Sequence, residues 1–133
     1  MYGRRKAKPI GFSNRDDPKR LVTVGIHYIV DLDNVDKDLV TDNDRLTKIC
    51  DTSLENGGAT ILDKMIHHFE PHGLTLLYLL SESHFSMHTW PEHKKIRIDF
   101  FTCEQNQSKY ISVIDHLKHE FESTSTKINI LRR

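Results

Sequence analysis

The stretch from Leu74 to Cys103 constrains the fold more than any other part of the chain. It opens with Leu74-Thr-Leu-Leu-Tyr-Leu-Leu80, a nearly continuous apolar run that suits a strand buried on both faces. It closes with Ile96, Ile98 and Phe100 alternating with Lys95, Arg97 and Asp99, the period of a strand with one wet face. Between them Pro91 withholds a ladder donor, and Trp90-Pro91 favours an extended or turn conformation, so the chain is expected to fold back near residues 91–94. That fold-back would return Cys103 to the neighbourhood of Ser83. The two apolar strands thus bracket Glu82, Ser83, His84, His88, Glu92 and His93, a density of reactive groups that calls for a chemical explanation.

The flanking sequence supplies the rest of a small domain. From Leu21 onward Val22, Val24, Ile26, Tyr28 and Val30 alternate with smaller or polar residues, predicting a first strand. Asp31, Asp33, Asp36 and Asp38 follow at a spacing that suggests a calcium loop. An EF-hand needs glycine and glutamate where this register has Asp36 and Asp42, so a solvated acidic loop is expected instead. Residues 43–56 carry Leu46, Ile49, Cys50 and Leu54 at helical spacing, and Gly57-Gly58 stops them. Residues 59–69 read as a strand of poor alternation, and Pro71-His72-Gly73 as the turn into the apolar run. Ser108 is the expected cap of a helix with Tyr110, Ile111, Val113, Ile114, Leu117 and Phe121 on one stripe, and residues 127–131 form a last strand. The order β-α-β-β-β-β-α-β predicts an α+β two-layer sandwich, a largely antiparallel sheet with two helices on one face.

A chain of 133 residues fits one domain, here residues 21–133, behind a flexible basic arm over residues 1–20. Its 19 basic and 19 acidic residues balance, which gives no electrostatic case for a nucleic-acid partner. Two cysteines, Cys50 and Cys103, are too few for a disulfide framework and suit a reducing compartment. With no 18-residue apolar run and no signal-peptide pattern, a cytoplasmic protein without a membrane partner is expected.

Taken singly, the reactive groups have ordinary readings: Ser83 as a strand-end hydroxyl, His84 and His88 as surface histidines, Cys103 as a small core residue. Nine histidines suggest zinc, yet His84 and His88 on one strand would stand about 13 Å apart, too far for one ion with bonds near 2 Å. No metal is therefore expected. A serine hydrolase at Ser83 lacks the G-x-S-x-G turn.

In order along the chain, Gly25-Ile-His, Gly57-Gly-Ala-Thr-Ile-Leu, His67-His-Phe-Glu-Pro-His-Gly73, Ser81-Glu-Ser-His, His88-Thr-Trp-Pro-Glu and Phe101-Thr-Cys resemble the prokaryotic type of S-adenosylmethionine decarboxylase. The likeness spans residues 21–122. It implies a self-processing proenzyme of polyamine synthesis in which Ser83 attacks the carbonyl of Glu82, the chain breaks between them, and the former serine becomes a pyruvoyl group. That covalent ketone is the implied cofactor, joining the substrate amine as a Schiff base while the carboxylate leaves.

Roles carried over by the resemblance follow position by position. Cys103 matches the proton donor to the product, a thiol suited by its reference pKa of about 8.5. His88 matches the residue that helps the ester intermediate eliminate. Thr75 stands where the family carries a serine that assists processing, keeping the hydroxyl on a stiffer side chain. Glu92 matches a glutamate at the nucleoside, and Phe69 is the candidate for stacking on adenine. The implied partners are S-adenosylmethionine and a second processed copy in a homodimer. Ornithine or arginine as substrate on the same scaffold, or an unprocessed homologue acting only as a partner subunit, are the alternatives.

Overall fold

The computed structural model describes residues 23–103 and 107–133; the arm expected over residues 1–20 and the start of the first expected strand lie outside the described residues. In chain order the elements are β1 (Gly25–Asp33), α1 (Lys37–Val40), α2 (Asn43–Asn56), β2 (Ile61–His68), β3 (Leu74–Leu80), β4 (His84–Trp90), a 3-10 turn (Pro91–His93), β5 (Lys95–Cys103), α3 (Gln107–Phe121) and β6 (Ser125–Arg132). The six strands form one sheet in the order β2-β3-β4-β5-β1-β6, and every neighbouring pair is antiparallel. The helices cover one face, so the α+β two-layer sandwich is as expected, and no helix among the described residues is long and apolar enough to cross a membrane.

Alternation sorts side chains to the two faces of each strand. Ile26, Tyr28, Val30 and Leu32 of β1, Phe85 and Met87 of β4, and Ile96, Ile98 and Phe100 of β5 point under the helices and are buried. Leu46, Ile49, Cys50 and Leu54 of α2 and Tyr110, Val113, Leu117 and Phe121 of α3 close the core over them. Cys50 is wholly buried against Met87, and burial pushes its thiol up, out of the reactive range. Tyr78 donates to Asp51 at 2.6 Å and Lys64 meets the same carboxylate at 3.0 Å, tying β3 and β2 to α2.

Helix α2 matches its expected bounds. The Asp42 carboxylate accepts from the Arg45 N–H at 3.0 Å at its start, and at its end Gly57 lies so close to α3 that a Cβ there would collide with Val113. Helix α3 begins at Gln107, ahead of the expected cap at Ser108.

Two expectations are corrected. The acidic segment is not a solvated loop: Asp31 and Asp33 belong to β1 and meet Arg97 at 3.4 and 3.1 Å, while Asp36 caps the short α1 by accepting from the N–H groups of Asp38 and Leu39. The hydrogen bond from Arg97 holds the Asp33 carboxyl below the usual carboxylate range. Clustered aspartates looked like mere polarity because their partner comes from β5, 64 residues beyond Asp33. Nor is β3 buried on both faces. Leu74, Leu76, Tyr78 and Leu80 are buried, but Leu77 and Leu79 lie on the helix-free face, 44% and 55% exposed. An apolar run reads alike whether its second face meets protein or open space.

Candidate active site

The functional groups gather on and around the helix-free face in two clusters at opposite ends of the β3–β4 ladder. The first surrounds the hairpin turn from Leu80 to Ser83. The Leu80 N–H donates to the Ser83 carbonyl at 2.9 Å, and the return bond from the Ser83 N–H is stretched to 3.5 Å. Glu82-Ser83 is therefore the last link of a two-residue turn, held firmly on one side only. The Ser83 hydroxyl is buried, yet Ser83 Oγ has no hydrogen-bond partner among the described residues. A buried orphan hydroxyl costs about 1–3 kcal/mol, so its retention asks for a reason.

The fold-back near residue 91 brings Cys103 to this turn, as expected. Cys103 Sγ donates to Glu82 Oε2 at 3.0 Å. Alongside, the Phe101 ring lies over Gly25, where a Cβ would strike it, and is flanked by the His27 and His84 rings with centroids at 6.3 and 5.9 Å. His27 in turn meets Asp99 at 3.0 Å.

The second cluster forms at the far end of the same strands. Register pairs Thr75 with His88, and Thr75 Oγ1 stands 2.9 Å from His88 Nδ1. The preceding turn presents Phe69, half exposed, whose N–H donates to the Gly73 carbonyl at 2.9 Å; Gly73 has φ of 116°, a conformation that favours glycine. The 3-10 turn after β4 presents Glu92, 3.3 Å from His72. Phe69, His72, Thr75, His88, Trp90 and Glu92 all line one cavity of about 230 Å³. An aromatic ring, a carboxylate and a hydroxyl–imidazole pair at one cavity make a site for a planar, polar ligand.

The structure thus joins Ser83, Glu82 and Cys103 in one group, and Thr75, His88, Phe69 and Glu92 in another, but does not join the groups within one chain. His84 and His88 do share β4, and the four-residue step from one to the other spans about 13 Å. Sequence reasoning missed His72 and Trp90 at the cavity and the contact of the Glu82 side chain with Cys103. Trp90 was findable, sharing a strand face with His88 two residues away; the others depend on loops that no period reports. A further cleft of about 350 Å³, lined by Arg45, Lys48, Ile49, Thr52, His116 and Glu120, lies at the helices and contains none of these residues.

Comparison with known proteins gives a consistent result. The family described as S-adenosylmethionine decarboxylase matches residues 26–133. An S-adenosylmethionine decarboxylase proenzyme of Hydrogenobaculum sp. is 35% identical over 111 residues, covering 84% of this chain and 82% of the relative. One from Synechococcus sp. is 39% identical over 100 residues, 75% of this chain and 77% of the relative. The crystal structure of the adenosylmethionine decarboxylase of Aquifex aeolicus superposes with a TM-score of 0.78 at 28% identity, over 84% of this chain and 91% of that one.

Proposed function

Because the chain belongs to the S-adenosylmethionine decarboxylase family, we propose that it cuts itself between Glu82 and Ser83 and then converts S-adenosylmethionine to its decarboxylated form and CO2. The observation that carries this reading is the buried Ser83 hydroxyl, without a hydrogen-bond partner among the described residues, at the turn beside Cys103. A serine held by a hydrogen bond would serve the fold; one held by none is free to attack the adjoining carbonyl.

In the processing step Ser83 Oγ adds to the Glu82 carbonyl carbon, the C–N bond breaks and the nitrogen takes the proton, leaving an ester. A base then removes the α-proton of residue 83, and the ester oxygen leaves with residues 1–82 as a carboxylate. Hydrolysis of the resulting dehydroalanine releases ammonia and leaves a ketone at the new N-terminus. His88, beside the Thr75 hydroxyl, is the base this reading assigns.

The new ketone supplies the electron sink that ordinary side chains lack. Around it, Cys103 delivers the proton to the carbon that has lost CO2. Phe69 stacks on the adenine, and Glu92, steadied by His72, accepts from the ribose hydroxyls. A cavity lined by an aromatic ring and a carboxylate and the family together favour S-adenosylmethionine over ornithine or arginine, and a working enzyme over an unprocessed partner subunit.

The gap along β4, about 13 Å from His84 to His88, is closed in this reading by a second copy. In a two-fold pair packed through the helix-free faces, each site takes Ser83 and Cys103 from one chain and Thr75, His88, Phe69 and Glu92 from the other. Met65, Leu77, Leu79 and Trp90, between 41% and 68% exposed, give that face the apolar character such packing needs.

Mass spectrometry of the purified protein tests the reading. The expected result is two chains, residues 1–82 and a second that begins with a borohydride-sensitive ketone. One intact chain with an unmodified Ser83 after long incubation would sink it.

A further inference from the structure

We infer that the Glu82 side chain is a positioning residue for the decarboxylation, keeping the Cys103 thiol protonated and aimed both before and after the chain is cut. The inference rests on the proposed role of Cys103 as proton donor. It concerns a side chain to which processing assigns nothing, since only the backbone carbonyl of Glu82 takes part in cleavage.

The contact itself carries the argument. Glu82 Oε2 lies 3.0 Å from Cys103 Sγ, across the space between the β3–β4 turn and the end of β5. An ionised carboxylate only accepts hydrogen bonds, and a thiolate has no proton to give, so a contact this short is formed by the thiol. A negative charge at that distance also disfavours the thiolate. The carboxylate thus fixes which way the S–H points and keeps its proton in place until a carbanion forms nearby.

The arrangement outlasts cleavage. When the link to Ser83 breaks, Glu82 becomes the last residue of the first chain, but its predecessor remains anchored, because the Ser81 N–H donates to the Thr60 carbonyl at 3.0 Å. That bond does not involve residue 83. Glu82 stays one residue from a fixed point, within reach of Cys103.

The consequence is fidelity of protonation. In normal turnover the proton on Sγ moves to the substrate carbon that lost CO2, and sulfur keeps the electron pair until water returns a proton. If the thiol is misplaced, the former serine carbon takes a proton from water instead; hydrolysis then leaves the nitrogen on the chain as an N-terminal alanine and releases the substrate carbon as an aldehyde. That enzyme molecule is dead.

Two measurements test the assignment. In the uncut Ser83→Ala protein, iodoacetamide alkylation of Cys103 is followed by peptide mass spectrometry; Cys50, wholly buried, does not compete. Adding Glu82→Gln is expected to raise the Cys103 rate about tenfold, and an unchanged rate overturns the inference. In cleaved protein, normalised to its ketone content by phenylhydrazine, Glu82→Gln is expected to yield about tenfold more alanine-terminated chain per turnover. An unaltered partition also overturns it. Should Glu82→Gln form no ketone, the alkylation result decides alone. A wild-type protein that never cleaves sinks the proposed function instead, and leaves the alkylation comparison standing.

Discussion

The separation of the two clusters makes a sharp prediction about a mixture of two defective chains. His84 and His88 are four strand residues apart, about 13 Å, while proton transfer needs heavy atoms within about 3 Å. No side-chain rotation closes that gap, so in a single chain His88 cannot serve its own Ser83. In a two-fold pair it serves the partner's. Co-expressing Ser83→Ala with His88→Ala, each carrying a different tag, then produces an uneven outcome. Each mixed pair contains one site with both defects and one with neither. Random pairing makes half of the pairs mixed, so about a quarter of all chains are expected to be cleaved, with about a quarter of wild-type CO2 release. Every cleaved chain would carry the His88→Ala tag. Either variant expressed alone sets the background. If the mixture shows no cleavage above that background, the shared site is wrong, and His88 must reach Ser83 by some rearrangement within one chain.

Three further outcomes follow from individual contacts. Leu77→Asp is expected to convert the pair to single chains in sedimentation and to abolish cleavage at the same time, since burying the exposed part of Leu77 is worth about 1 kcal/mol and symmetry counts it twice; a stable pair with normal cleavage refutes packing through this face. Thr75→Val keeps the shape but loses the hydroxyl 2.9 Å from His88 Nδ1, and is expected to slow self-cleavage about tenfold while Thr75→Ser does not; equal rates for the two variants dismiss the hydroxyl. Asp33, held by Arg97 below the ordinary carboxylate value of 3.8, contributes stability that is present above that value and lost as pH falls through the folded-state one. Arg97→Gln is therefore expected to flatten the fall in urea midpoint on acidification below about pH 4, and an unchanged acid limb argues against the pair.

Much of this arrangement is written in local pattern. The bounds of α2 follow from a leucine–isoleucine stripe between an aspartate cap and a glycine pair, and the alternation of β5 fixes which of its side chains meet the helices. The proline after Trp90 implied the reversal that carries Cys103 back toward the Ser83 turn, while the hydrogen bond it makes there with the Glu82 side chain was not foreseen. What pattern did not reveal depends on register or on distant partners. Asp36 caps a four-residue helix too short to have a period, and Asp31 and Asp33 find their cation on another strand.

The misreading of β3 and the division of the site trace to one physical fact. A period reports which residues are apolar, not what covers them, so Leu77 and Leu79 looked like core. They stand instead on a face that no helix among the described residues covers, in the rows between the Ser83 turn and the Thr75–His88 pair. Apolar side chains at those positions are costly for a solitary sandwich and useful to a pair. If a second copy covers them, the ladder that holds Thr75 and His88 away from their own Ser83 is the same surface that delivers them to a partner's, and neither cluster can be complete until that surface is buried.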